Sequence, residues 1–469
     1  MKTRSLVAVL LMPAFLCAFD APAGAQKASV PAADVLVVGG TPAGVAAAIA
    51  AARRGERVDL VAARPELGGV LTDAMMDQWD LNLADDGTTV EGGLFREIYA
   101  RLGDAFSPAQ AASTFLDLVM AERRISLFLN DRTTAVTDAP GAAPHTVAHV
   151  TFRNAWTGKT FALSAPQIVD ATDNAEVAAL AGARYDLGRE DTGLDEKMQA
   201  VTLMFTVDGV DWPQVIASYD AAIDGPGGAL DRRAWGYART MRAYHALSPD
   251  VLVRDLNLGH EDGGAVTVNA IDVLGINGLV PADLARARSL AQAEAPHLVA
   301  WLRTHIAGFA NASVGRYADT IYVRETRHIA GLERLDSDDV WDGTIPADSI
   351  GLSSYPLDLH PLTAEEKPAY APVRHVYGLP FGTLVPRDLA NVVLASPAIS
   401  ASHIASGSAR VIPTTIEEGE AAGDAAALAN QRHLSFARID RTTAALAALR
   451  TELSGEGAIL ALTTHEKST

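Results

Sequence analysis

Residues 34–69 read DVLVVGGTPAGVAAAIAAARRGERVDLVAARPELGG, and the fold follows from this stretch. Val35 to Val38 are four consecutive aliphatic residues, as in a parallel strand buried on both faces. Gly39, Gly40 and Gly44 follow where a strand turns sharply into a helix and lets another molecule approach the backbone, which a Cβ would obstruct. Val45, Ile49 and Ala52 recur at helical spacing, and Arg53, Arg54 and Gly55 supply a cationic last turn and a stop. Arg57 to Val61 forms a second short strand. The turn reads Gly39, Gly40, Thr41, Pro42, Ala43, Gly44, and the helix that follows points free N–H groups and its positive dipole end at it, which suits a dinucleotide pyrophosphate. Two residues depart from the usual G-x-G-x-x-G pattern. Thr41 replaces the second glycine, and Ala62 stands where a carboxylate would hold the adenosine ribose. The alternative is a tight turn whose glycines serve packing alone.

Lys2 and Arg4 precede an apolar run from Leu6 to Phe19, and Ala23, Gly24 and Ala25 supply a small-residue cleavage signal. Residues 1–25 are therefore expected to be an export signal peptide, giving a periplasmic or secreted protein. Cys17, the single cysteine, falls within it, so no disulfide or thiol chemistry is expected afterwards. No stretch offers the roughly 20 uninterrupted apolar residues of a bilayer-crossing helix, so no membrane span is expected. A net charge of −19 repels nucleic acid and anionic lipid. The chain of 469 residues is too long for one core, which points to two closely packed domains.

Further along, Gly68-Gly69 and Gly92-Gly93 are glycine doublets, the second leading into a helix with the apolar stripe Leu94, Phe95, Ile98, Tyr99 and Leu102. A helix over 113–124 feeds a strand over 125–129. Residues 147–152 and 160–163 read as a hairpin, which returns the chain to a strand at 168–170 and the small, polar Ala171, Thr172, Asp173 and Asn174. A simple nicotinamide dehydrogenase repeats βα units instead, so this wiring points to a flavoprotein. Near the end, a strand over 391–395 runs into a polar loop, 396–408. Pro413 then opens a helix over 414–430 with an interior almost entirely of Ala and Gly, which lets sheet or cofactor approach. No G-x-S-x-G elbow, H-E-x-x-H or Walker loop is present, and residues 201–301 show no motif with a chemical reading.

With these pieces assembled, the chain resembles the FAD-dependent oxidoreductases with a glutathione-reductase-type FAD domain, and most closely a bacterial family with many exported members. The matching segments are VVGGTPAGVAAAIAAARRG, LGGVLT, IVDATDNAEVAALAGARYDLGRE, YVRETRHIAGLERLDSDDVWDG with SSYPLDLHP, and SASHIASGSARVIPTTIEEGEAAGDAAALA. They run in the family's order across most of residues 34–430. The resemblance implies an α/β fold. Residues 34–75, 113–190 and 375–430 would form a discontinuous FAD-binding, Rossmann-like domain with a parallel sheet, flanking helices and a β-hairpin excursion. Residues 76–112 and 191–374 would form an inserted α+β substrate domain, and 431–469 a C-terminal helix and tail. FAD contacts are expected from Gly39, Gly40, Thr41, Pro42, Ala43, Gly44, Gly68, Gly69, Ala171, Thr172, Arg410, Pro413 and Thr414. Thr-Pro in the turn is a family habit, whereas Ala62 replaces an acidic residue and Asp173 a frequent glycine.

The implied activity is oxidation of a small organic substrate, an alcohol, sugar or amine, by hydride transfer to the flavin. Dioxygen or a redox carrier would take the electrons, because no second G-x-G-x-x-G offers a nicotinamide site. His403 matches a family histidine and is the first candidate to take the substrate proton; a covalent flavin link or a structural hydrogen bond are the alternatives. His360, in PLDLH, is the second candidate, against a local turn hydrogen bond, and no metal centre is expected around it. Arg327, beside Arg324 and His328, would bind a substrate carboxylate or pair with Glu325, Glu333 or Asp338. His297 and His305 ride a helix around Pro296, away from chemistry. The rival readings are an NAD(P)-dependent dehydrogenase and a non-catalytic exported flavin-fold binding protein.

Overall fold

The aliphatic run becomes β1 (Val35–Val38), buried at every residue and central in a five-stranded parallel sheet. The computed structural model describes residues 32–141, 143–367 and 369–462, so the export segment and Cys17 lie outside the described residues. α1 (Pro42–Arg53) leads to β2 (Val58–Ala62), which pairs with β1 from Val35 opposite Val58. α2 (Gly93–Leu102) and α3 (Pro108–Ala121) follow. α3 starts earlier than the expected residue 113 because Ser107 caps it reciprocally with Gln110 and Pro108 fills its first position. β3 (Ile125–Leu129) then joins the sheet beside β2.

Next comes an antiparallel excursion of β4 (Asp131–Asp138), β5 (Val147–Asn154) and β6 (Thr160–Leu163). The expected two-stranded hairpin therefore has a third strand. β4 reads DRTTAVTD, almost all polar and largely exposed, so it lacks the apolar alternation that marks a strand. β7 (Gln167–Asp170) returns to pair with β1, and β8 (Val392–Leu394) completes the order β8-β7-β1-β2-β3.

Between β7 and β8 lies a six-stranded antiparallel sheet whose central strands are Leu256–His260 and Val266–Asn269. α4 (Pro281–His305) packs on its edge strand Ser313–Tyr317. His305 stacks on Trp301 and His297 meets the His245 carbonyl, so neither enters a site.

Part of the expected loop over 396–408 is instead α5 (His403–Ala409), capped by Ser402. Its two serines and one glycine hide a helix of seven residues from any propensity argument. α6 (Ile412–Arg432) follows and is buried along nearly its whole length. A Cβ on Gly419 or Gly423 would overlap the carbonyl oxygen of Ala43 or Ala47. These glycines thus admit α1, rather than the sheet or a cofactor. α6 also caps α2 from outside: Glu417 accepts from the Gly92 amide and Glu420 from the Leu94 amide, both at 2.9 Å. Gly93 admits this approach, since a Cβ on it would overlap the Glu420 carboxyl, whereas a Cβ on Gly92 would overlap the Gly457 carbonyl oxygen. The terminal segment folds as two helices rather than one, α7 (Phe436–Arg441) and α8 (Thr443–Gly455), with Leu449 buried and Leu446 half-buried. Among the described residues no helix is long and apolar enough to cross a membrane.

Candidate functional site

Thr41 ties the glycine turn together. Its hydroxyl donates to the Ala171 carbonyl at 2.9 Å and accepts from the Gly44 amide at 3.1 Å, capping α1 and joining it to the end of β7. A glycine there could do neither, which explains the departure from pattern. Gly39 has φ +126°, and a Cβ on it would overlap the Ala171 carbonyl; one on Gly44 would overlap the Gly39 oxygen. Among the described residues the amides of Gly40 and Thr41 have no hydrogen-bond partner. Both residues line a cleft of ≈ 550 Å³, its open mouth included, and Pro42 begins the helix behind them. Spare amides, a dipole end and a backbone too close-packed for side chains fit a dinucleotide pyrophosphate.

The cleft is also lined by Ala62, Ala63, Arg64, Glu66, Gly69, Asp73, Thr172, Asp173, Asn174 and Glu176. Gly68 donates to the Gly40 carbonyl at 2.7 Å. Asp170, buried and thereby raised to about 6, accepts from the Thr172 amide and hydroxyl and from the Ala178 amide, fixing the turn after β7. Asp173 borders the cleft, and desolvation followed by the charges of Glu176 and Asp73 raises it to about 6. Of the expected cofactor residues, Gly39, Gly40, Thr41, Gly69 and Thr172 line this cleft. Pro42, Ala43, Gly44, Gly68 and Ala171 build its backing. Arg410, Pro413 and Thr414 do not line it.

A second constellation gathers around Arg324 and Glu325, consecutive residues whose side chains find partners in different directions. Arg324 donates to the Ala200 carbonyl at 2.7 Å and the Thr202 hydroxyl at 2.9 Å, and pairs with Asp272 at 3.3 Å. Glu325 accepts from His403 Nδ1 at 2.6 Å and His328 Nε2 at 2.9 Å on one oxygen, and from the Gln199 amide at 3.0 Å on the other. The expected pairing of Arg324 and Arg327 with Glu325, Glu333 or Asp338 does not form. Arg327 donates to the Asn174 carbonyl and lies over the Tyr185 ring, and Glu333, raised to about 7 by burial and then by Asp348, sits among carboxylates.

Burial pushes the Glu325 carboxyl up, but the two imidazoles together bring it down to about 2. For His403 burial disfavours the cation, yet the Glu325 carboxylate, helped by Asp191, leaves the ring above its ordinary value. His403 is the first residue of α5 and not a loop residue, and its amide donates to Asp191. Among the described residues Nε2 of His403 has no hydrogen-bond partner.

His360 differs. Its Nδ1 meets Asp272 at 2.7 Å and its Nε2 meets Asp358 at 3.2 Å, so no ring nitrogen is left to take a proton from a substrate. Arg410 donates to the Asp358 carbonyl at 3.1 Å and the Tyr322 hydroxyl at 3.0 Å, and Arg254 reaches Asp358 at 3.5 Å. Burial raises Asp272 and Asp358, but His360 and the arginines outweigh it and hold both well below the usual carboxylate range. Thr414 accepts from Asn82 Nδ2, and Asn82 also contacts Glu91 and Ser353. The residues missed in sequence, Asp272, Arg254 and Thr202, come from the stretch that shows no motif; one aspartate between apolar residues carries no signal until its partners are in space.

A comparison with curated proteins finds no match. Among solved structures the chain is similar to a geranylgeranyl bacteriochlorophyll reductase-like protein of Thermoplasma acidophilum, at 12% identity and TM-score 0.43, over 90% of this chain and 83% of that one. It is similar to p-nitrophenol 4-monooxygenase of Pseudomonas putida at 11% identity and TM-score 0.44, over 91% and 88% of the two chains. A flavin-dependent brominase matches at 11% identity and TM-score 0.44, over 90% and 84%. A family model matches residues 34–453, nearly the whole described chain, and the protein belongs to the FAD dependent oxidoreductase family.

Proposed function

We propose that this FAD-dependent oxidoreductase oxidises a small alcohol, sugar or amine, with His403 as the group that takes the substrate proton. The observation that carries the reading is the contact between His403 Nδ1 and Glu325, which leaves Nε2 without a partner. FAD is the family's cofactor, and the Gly39–Gly44 turn fits its pyrophosphate. Bound FAD supplies the hydride acceptor.

The chain's own residues do the rest. Glu325 accepts from Nδ1 and so fixes the tautomer with a lone pair on Nε2. When Nε2 takes the proton of a C–OH or C–NH group, the adjacent carboxylate stabilises the imidazolium. The Gln199 amide and His328 hold the Glu325 carboxylate in place. The electron acceptor in this reading is dioxygen or a redox carrier, and the periplasm or the cell exterior is the site of action that the signal-like sequence of residues 1–25 supports.

Anaerobic mixing of the flavin-loaded protein with alcohols, sugars and amines tests it. Bleaching of the oxidised flavin by one of these classes supports the reading. Bleaching by NAD(P)H alone, with none of the classes active, overturns it.

A further inference from the structure

The cleft poses a question of its own: what holds the adenosine ribose when the second strand ends in a methyl group? Ala62 is buried beneath Gly40, on which a Cβ would come within 2.6 Å of the Ala62 Cβ. No carboxylate is available at the strand end. We propose that Glu66, four residues further along the same rim, has taken over the ribose hydroxyls of FAD.

Four observations lead there. The rim is rigid next to Glu66, because Leu67 is buried under Gly40 and the Gly68 amide donates to the Gly40 carbonyl at 2.7 Å. Glu66 is thus presented beside the pyrophosphate turn by a backbone pinned to that turn. The other carboxylate on this side, Asp73, is engaged by Arg64 at 3.2 Å. Glu66 makes no hydrogen bond or ion pair among the described residues, although it lines the cleft. Asp173 and Glu176 also line it, but they follow β7, across the turn from the β2 edge where a βαβ unit meets the ribose. A carboxylate accepting from two vicinal hydroxyls needs only this placement and free oxygens.

The assignment depends on the FAD site and not on the substrate chemistry, so it can fail separately. The test is a flavin-binding titration of the full chain with FAD and with FMN, which lacks the adenosine. Glu66→Gln is expected to weaken FAD binding by roughly tenfold or more, the size of a lost charge-assisted hydrogen bond, with FMN binding and thermal midpoint unchanged. Ala62→Glu in the Glu66→Gln background is expected to restore FAD affinity. An unchanged FAD affinity in Glu66→Gln, an equal loss for FMN, or a loss confined to Asp173→Asn or Glu176→Gln would overturn the assignment.

Discussion

The Glu325 carboxylate lies 2.6 Å from Nδ1 of His403, across 78 residues of sequence, and shares the same oxygen with His328. This contact turns the first residue of α5 into a ring with one nitrogen committed and, among the described residues, one spare. The carboxylate is brought in by the segment that also carries Arg324, so the dyad and the Arg324–Asp272 pair are built on adjacent residues.

The dyad sets a pH dependence. His403 titrates above its ordinary value because Glu325 favours its cation, and only the neutral ring accepts a proton. Flavin reduction by substrate should therefore rise with pH through a midpoint above about 6.5. Glu325→Gln removes the anion and should move that midpoint down, with a slower limiting rate. Stopped-flow reduction across a pH series measures both. The folding side runs in the opposite direction: the stability His403 contributes is full below about 6.5 and is lost as pH rises through its elevated folded value.

α6 carries a second pH signature. Glu418 is fully buried with neither carboxyl oxygen hydrogen-bonded, and burial holds it well above the usual range; Glu420 is raised by burial to about 8. Their folded values exceed those of an unfolded chain, so their contribution is complete below about pH 4 and is lost as pH rises through the folded values. Urea denaturation between about pH 6 and about pH 9 should show falling stability. Glu418→Leu should flatten the slope and add about 1–3 kcal/mol by removing an unsatisfied buried group.

The glycines divide by role. Gly44→Val places side chain against the Gly39 carbonyl and should abolish flavin binding, read as loss of flavin absorbance from the purified protein. Gly419→Ala pushes α6 off the Ala43 carbonyl and should cost roughly 1–3 kcal/mol of stability. Thermal denaturation checks the second.

Asp173 borders the cleft with a value raised to about 6. Above that pH its charge opposes the pyrophosphate, so FAD affinity should fall as pH rises through about 6. Asp173→Asn should tighten FAD at alkaline pH and remove the dependence, measured by the same flavin titration.

Much of the nucleotide end is legible in sequence because strand, turn and helix are local. Four aliphatic residues, glycines and a Thr-Pro start declare β1 and α1, and the structure adds only that Thr41 is there for its hydroxyl. β4 stays hidden because its polar residues leave no period, and α5 because it is short and serine-bearing. The site is harder still. Proximity in sequence favours Glu325 as a partner for Arg324, yet Arg324 pairs with Asp272 and Glu325 with two histidines. Likewise His360 looks free beside Asp358 until Asp272 appears at its other nitrogen. Long-range pairing chooses between such readings, and spacing does not contain it.

The central claim is that His403 takes the substrate proton during flavin reduction. Anaerobic rapid mixing of His403→Ala with a substrate that reduces the wild-type flavin tests it directly. An unaltered oxidised flavin spectrum and reduction slowed by roughly 10²–10⁴-fold are expected. Reduction at the wild-type rate would contradict it.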